Sequence, residues 1–113
     1  MELSTEKVND VLIIKILNQK LDASNALKFK KAIINEIKGY KKVLINMSEI
    51  DFIDSSGCGI ILHVLKTLTS DKGDLKLFGL QKTVQVVIEL IRMHQVIEIF
   101  NTKEEALKSY LNK

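Results

Sequence analysis

Val43-Leu44-Ile45-Asn46-Met47 opens the stretch that decides how the rest of the chain is read, and Asp54-Ser55-Ser56-Gly57-Cys58-Gly59 closes it. The first part is an apolar run of strand length, suited to a strand buried on both faces. A loop, Ser48-Glu49-Ile50-Asp51-Phe52-Ile53, joins the two. After the glycines, Ile61, Val64, Leu65 and Leu68 repeat at i, i+3, i+4 and i+7, the spacing of an amphipathic helix. Asp71-Lys72-Gly73-Asp74 then makes a turn into a short core strand, Leu75-Lys76-Leu77-Phe78. A strand, a helix of about a dozen residues and another strand form a right-handed parallel crossover.

The same alternation extends outward. Upstream, Leu3 to Val8 is weakly strand-like, Asn9-Asp10 is a tight turn, and Val11-Leu12-Ile13-Ile14-Lys15-Ile16-Leu17 is a second buried strand. Ser24 or Asp22 is placed to cap a helix that carries Ala26, Phe29, Ile33 and Ile37 on one side, and Gly39 stops it. Downstream, Val84, Val87, Ile88 and Ile91 repeat the helical pattern, and Val96-Ile97-Glu98-Ile99-Phe100 reads as a last strand. Thr102 with Glu105 forms a capping box for a terminal helix through Ala106, Leu107, Tyr110 and Leu111. The order β-β-α-β-α-β-α-β-α implies an α/β fold: a mixed sheet of four to five strands covered by about four helices, in a single domain spanning 1–113.

Composition removes several function classes. Of 17 basic residues only Arg92 is arginine, and aromatics are 5% of the chain with no tryptophan. Base-reading arginine forks and aromatic stacking platforms are therefore missing, so no nucleic-acid partner is expected. The lysines from Lys28 through Lys38 to Lys41 and Lys42 alternate with apolar residues, as on a solvated helix face. No run approaches the roughly 20 apolar residues that cross a bilayer. A lone cysteine, Cys58, and an N-terminus without the pattern of a signal peptide lead us to expect a cytoplasmic protein.

In an open parallel sheet, function gathers at the loops leaving the carboxyl ends of the strands. Two loops do so on the same side, Asn18 to Ser24 and Ser48 to Gly59. The second places two hydroxyls, Ser55 and Ser56, at the first turn of a helix, whose unpaired N–H groups and partial positive charge favour an anion. The plainer reading is local: Asp54, Ser55 or Ser56 caps the helix while Gly57 and Gly59 shape the turn. Hydrolytic chemistry has little to draw on. His63 lies two turns along from Ser55, His94 is far away in sequence, and the leading glycine of a nucleophile elbow is absent. One cysteine and two distant histidines do not make a metal site, and no loop ends in the Gly-Lys-Ser/Thr of a P-loop. Glu49, Asp51 and Asp54 read as solvated or capping carboxylates, and Cys58 as a small packed residue. No catalytic residue, cofactor or metal is assigned.

Asp54-Ser55-Ser56-Gly57-Cys58-Gly59, after apolar Ile53, resembles the D-S-[ST]-G-[apolar]-G signature of anti-sigma factor antagonists, the STAS domains. Leu21-Asp22 resembles the family's L-D pair, and Glu105-Ala106-Leu107 its E-A-L ending, so the likeness runs from about Val8 to Leu111. The resemblance implies a non-enzymatic, phosphorylation-switched regulator. Ser55 would accept phosphate from a partner anti-sigma factor serine kinase, a serine phosphatase would reset it, and Asp22, Asp54, Ser55, Ser56 and Gly57 would meet the partner. The unphosphorylated form would bind the kinase and free its sigma factor. The alternative is a non-switching STAS subunit of a stress-signalling or lipid-transport complex. Monomer and weak dimer both remain open. Gln19 stands where the family often has glycine, Cys58 where it has a larger aliphatic residue, and Arg92-Met93-His94-Gln95-Val96 replaces a glycine-containing turn.

Overall fold

A computed structural model describes residues 2–111, so Met1, Asn112 and Lys113, at the ends of the expected 1–113 domain, lie outside the described residues. The elements are β1 (Leu3–Val8), β2 (Val11–Ile16), β3 (Lys20–Leu21), α1 (Ala26–Glu36), β4 (Lys42–Asn46), β5 (Phe52–Ile53), α2 (Ser55–Ser70), β6 (Asp74–Phe78), α3 (Lys82–Ile91), a 3-10 turn (Met93–Gln95), β7 (Glu98–Phe100) and α4 (Lys103–Leu111). Five strands form one sheet in the order β1-β2-β4-β6-β7. The β1–β2 hairpin is antiparallel, and the other pairs are parallel. This is the expected mixed α/β sheet with four helices. Leu17, Met47, Val96 and Ile97 fall outside the strands expected to hold them; Leu17 and Val96 are exposed, whereas Met47 and Ile97 still turn into the core.

Side chains alternate across the sheet. On one face Leu12, Ile14, Ile16, Val43, Ile45, Leu75 and Leu77 pack beneath α1, α2 and α3 through Phe29, Ile33, Ile61, Val64, Val84 and Ile88. On the other face Val11, Ile13, Leu44 and Phe78 are covered by α4 through Ala106 and Tyr110. β2 and β4 therefore read as continuous apolar runs because both faces are dry. Lys76 breaks the run in β6, and it is 2% exposed. Its ammonium donates to Ser109 Oγ at 2.8 Å, pairs with Glu98 at 3.2 Å and sits 4.2 Å from the Tyr110 ring centre. The Tyr110 hydroxyl reaches the Val43 and Asp74 carbonyls at 3.0 and 2.9 Å, fastening α4 to two strands.

The terminal capping box forms as read. The Thr102 N–H donates to the Glu105 carboxylate, and the Glu105 N–H donates to Thr102 Oγ1, each at 3.2 Å. The α1 cap differs from expectation. Asn25 is the cap residue and makes no side-chain bond into the helix. The Asn25 amide instead accepts from the Asp22 N–H at 3.0 Å and donates to the Lys20 carbonyl at 2.7 Å. Asp22 turns back onto Ser24, and neither residue caps the helix. Gly39 follows the helix end with φ +85, where glycine is favoured. At the end of α3, Arg92 takes φ +67, a left-handed conformation that glycine adopts at lower cost.

Candidate functional site

The two loops at the carboxyl ends of β2 and β4 are joined by a small second sheet. β3 pairs in parallel with β5, setting Lys20 beside Phe52 and Leu21 beside Ile53. The Gln19 carbonyl accepts from the Asp51 and Phe52 N–H groups at 2.8 and 3.3 Å, and the Leu21 carbonyl accepts from the Asp54 N–H at 3.3 Å. Leu21, Ile50 and Ile53 turn into the core, while Phe52 stays exposed. Gln19 does not have positive φ, so this turn makes no demand for glycine. Thr83 Oγ1 donates to the Asp51 carbonyl and Gln81 Nε2 to the Ser48 carbonyl, both at 2.9 Å, which ties the start of α3 to the same loop.

Asp54 organises the junction. Its backbone is extended, and Oδ1 accepts from the Gly57 N–H at 3.0 Å, the geometry of an N-cap. Oδ2 accepts from the Ala23 N–H at 3.1 Å, across to the other loop. One carboxylate thus caps α2 and holds the Asp22–Asn25 turn against it. Gly57 is buried within the helix, and a Cβ there would lie 2.3 Å from the Leu21 carbonyl oxygen and 2.9 Å from Ile53 Cγ1. The glycine lets α2 lie directly on the β3–β5 pair. Gly59 is helical, with open space around it, so it shapes neither a turn nor a close approach.

Ser55 and Ser56 occupy the first two helical positions, and both are exposed. Among the described residues neither hydroxyl is hydrogen-bonded, so Asp54 alone of the three cap candidates caps the helix. Asp22 is half-buried beside them, with Oδ1 accepting from the Ser24 N–H at 3.0 Å and the Ser24 hydroxyl at 2.6 Å. The Ser24 hydroxyl holds the Asp22 carboxyl below its ordinary range. Of the five residues expected to meet a partner, Asp22, Ser55 and Ser56 reach the surface together. Both Asp54 oxygens are spent within the protein, and Gly57 is covered.

Cys58 is buried on the core side of the same turn, and desolvation, with the nearby Asp54 charge, pushes its thiol up to about 11. That is the opposite of the lowered value a reactive cysteine needs. His63 is exposed along α2, about 12 Å from Ser55 at the helical rise. His94 lines a cavity of about 250 Å³ with Leu80, Gln85, Glu89, Ile99, Phe100 and Asn101, away from the serines. Among the described residues no three His, Cys, Asp or Glu side chains gather as for a metal ion, and no helix is long and apolar enough to cross a membrane. Two features escaped sequence reading. The two-residue strands are too short to show a period, and Asp54 bridging to Ala23 depends on a pairing across 31 residues.

Residues 2–106 match the profile of the STAS domain. The anti-sigma-B factor antagonist of Listeria monocytogenes is 30% identical over 87 residues, 76% of each chain. The crystal structure of TM1081 from Thermotoga maritima is 31% identical, spans 95% of this chain and 92% of that one, and superposes with a TM-score of 0.85. The unphosphorylated anti-sigma factor antagonist SpoIIAA shares the fold at 22% identity and a TM-score of 0.80, over 99% of this chain and 98% of its own. With the D-S-S-G-C-G segment capping α2 as described, the chain belongs to the STAS domain family, among the anti-sigma factor antagonists, which are regulators and not enzymes.

Proposed function

We propose that this chain is a protein-binding regulator switched by phosphorylation at Ser55. Unphosphorylated, it docks on an anti-sigma factor serine kinase through the Asp22 loop, the Ser55 loop and the exposed start of α2, and so frees a sigma factor. The kinase supplies ATP, magnesium and the catalytic groups. The γ-phosphoryl passes to Ser55 Oγ, ADP leaves, and the hydroxyl proton goes to the kinase. A serine phosphatase reverses the modification.

The observation that carries this reading is an exposed, unbonded Ser55 hydroxyl on the first turn of a helix whose base is locked by Asp54 to the neighbouring loop. A phosphate there meets the positive end of α2, so the fold tolerates it. It also brings about −1.5 to −2 charges to a surface already carrying Asp22. One like-charge contact at 4 Å is worth about 1 kcal/mol in water and about 4 at an effective dielectric near 20. The larger value is roughly a thousandfold in affinity, enough for a switch without refolding. The choice of Ser55 over Ser56 rests on the family pattern, since both hydroxyls are equally open.

The test is incubation with ATP and candidate kinases from the same genome, read by intact mass and fragmentation. Ser55→Ala is expected to abolish the added phosphate and keep kinase binding, whereas Ser56→Ala still accepts phosphate. Phosphate on Ser56, or tight kinase binding by the Ser55-phosphorylated form, overturns the assignment. Stable incorporation into a multi-subunit assembly with Ser55 never modified favours the non-switching alternative.

A further inference from the structure

Among the described residues the lysines of α1 make neither a hydrogen bond nor an ion pair. Between positions 20 and 42 the chain carries Lys20, Lys28, Lys30, Lys31, Lys38, Lys41 and Lys42 against Asp22 and Glu36, a net +5 in a chain whose total is +3. Asp22 is taken up by Ser24, Lys41 donates to the Asp71 carbonyl at 3.0 Å, and Lys42 pairs with Asp10 at 3.1 Å. Among the described residues no other lysine of this stretch makes an ion pair. Helix α1 has no acidic residue in its first turn and no basic residue in its last, so Lys28, Lys30 and Lys31 do not complement the helix dipole. The positions four residues after Lys28, Lys30 and Lys31 are Ala32, Ile34 and Asn35, so no Lys-to-acid pair at that spacing forms along the helix either. Lys28 and Lys31, three residues apart, repel one another.

The placement of these lysines is ordered. Leu27, Lys28, Lys31 and Asn35 lie on one side of a helix about 16 Å long, and Lys38 follows in the turn after it. Leu27, 63% exposed, stands at the end that adjoins the Ala23–Asn25 turn, which Asp54 holds against the Ser55 loop. A protein interface of ordinary size covers about 800 Å² on each partner, a disc roughly 30 Å across. Such a disc centred on Ser55 reaches about 15 Å to each side, enough to cover the N-terminal half of α1 with Leu27, Lys28 and Lys31, while Lys38 lies at or beyond its edge.

We infer that the exposed face of α1 at Leu27, Lys28 and Lys31, with Lys38 in the turn just past the helix end, is a second docking surface that receives an acidic patch on the same protein partner that reads Ser55. This rests on the switch reading above. The stripe holds a single exposed apolar residue, too little for insertion into a bilayer. It has neither arginine nor an aromatic ring for nucleic acid. Solvated lysines facing a complementary surface act mainly on encounter, so the stripe sets the association rate and its salt dependence more than the dissociation rate.

The test uses the kinase that modifies the wild-type chain, with association and dissociation followed by stopped flow or biosensor across a salt series. The triple variant Lys28→Glu, Lys31→Glu, Lys38→Glu is expected to slow association about tenfold or more at low salt and to reverse the sign of the salt dependence. Its dissociation rate and its phosphorylation at saturating concentration stay near wild type. The triple Lys→Gln variant falls between the two. Lys108→Glu on α4, across the sheet, changes association little. If the kinase modifies the wild type and charge reversal leaves association unchanged, the docking surface is refuted while the switch stands. If no such kinase binds or modifies the wild type, the switch reading fails and the surface falls with it. Binding of the wild type, and not the variant, to phosphatidylglycerol vesicles with kinase association unaffected overturns the inference in favour of a lipid surface.

Discussion

Replacing Gly57 and Gly59 separately by alanine tests the packing of the site, because the same added methyl group should act with opposite sign two residues apart. Both glycines lie inside α2, where alanine is intrinsically better by about 1 kcal/mol. At Gly59 the new Cβ meets nothing within 4 Å, so that gain is kept and the domain is stabilised by about 0.5–1 kcal/mol. At Gly57 the Cβ would stand 2.3 Å from the Leu21 carbonyl oxygen and 3.0 Å from its carbonyl carbon, both backbone atoms that cannot rotate away. Relief requires α2 to lift from the β3–β5 pair, straining the Asp54 N–H bond to Leu21 and the Ala23 bond to Asp54. Overpacking of this kind costs about 1–3 kcal/mol, and contact with rigid backbone places it at the upper end. Set against the propensity gain, Gly57→Ala loses about 2 kcal/mol, or roughly 8 °C in Tm for a chain of this size. Urea unfolding monitored by circular dichroism gives the free energies, and thermal melts give the shifts. Gly57→Ala as stable as wild type would mean that α2 does not press on Leu21, and the account of how the two loops are held in register would fail.

Asp54→Ala removes the α2 cap and the bond to Ala23 together, and we expect a loss of about 1–3 kcal/mol in urea unfolding with an unchanged m-value. Asp54→Asn, with one carbonyl oxygen left, recovers part of it, and faster hydrogen exchange at the Ala23 amide reports the freed loop. Native Cys58 is expected to react with a thiol reagent at pH 8 on the order of a hundredfold more slowly than the unfolded chain, because burial holds its thiol near 11; equal rates would refute its burial. The folded Asp22 carboxyl titrates below its unfolded value, so the Asp22–Ser24 turn is intact above about pH 4 and loosens as pH falls through the folded pKa. The Ser24 amide resonance in an NMR pH titration should follow that midpoint, and Ser24→Ala should move it upward.

The sequence by itself determined those features whose cause is local or periodic. Apolar runs at Val11–Ile16 and Val43–Ile45 mark doubly buried strands because burial on both faces removes the polar alternation. The Thr102–Glu105 box is legible because both partners lie within one turn of the same helix. The Asp54-Ser55-Ser56-Gly57 segment shows where a helix begins, since a cap acts on amides three residues away. Tertiary structure alone decided the rest, where a residue's role depends on an atom distant in sequence. The pairing of Lys20–Leu21 with Phe52–Ile53 has no signature in two residues, yet it creates the junction on which α2 sits. Asp22 and Ser24 look like helix caps, and the structure gives them to each other because Asn25 is drawn back to Lys20. Lys76 interrupts an apolar strand, and it is buried because α4 supplies Ser109 and Tyr110 around its ammonium. Gly57 and Gly59 are indistinguishable as letters, and only the Leu21 carbonyl, 36 residues before the first of them, makes one of the two indispensable.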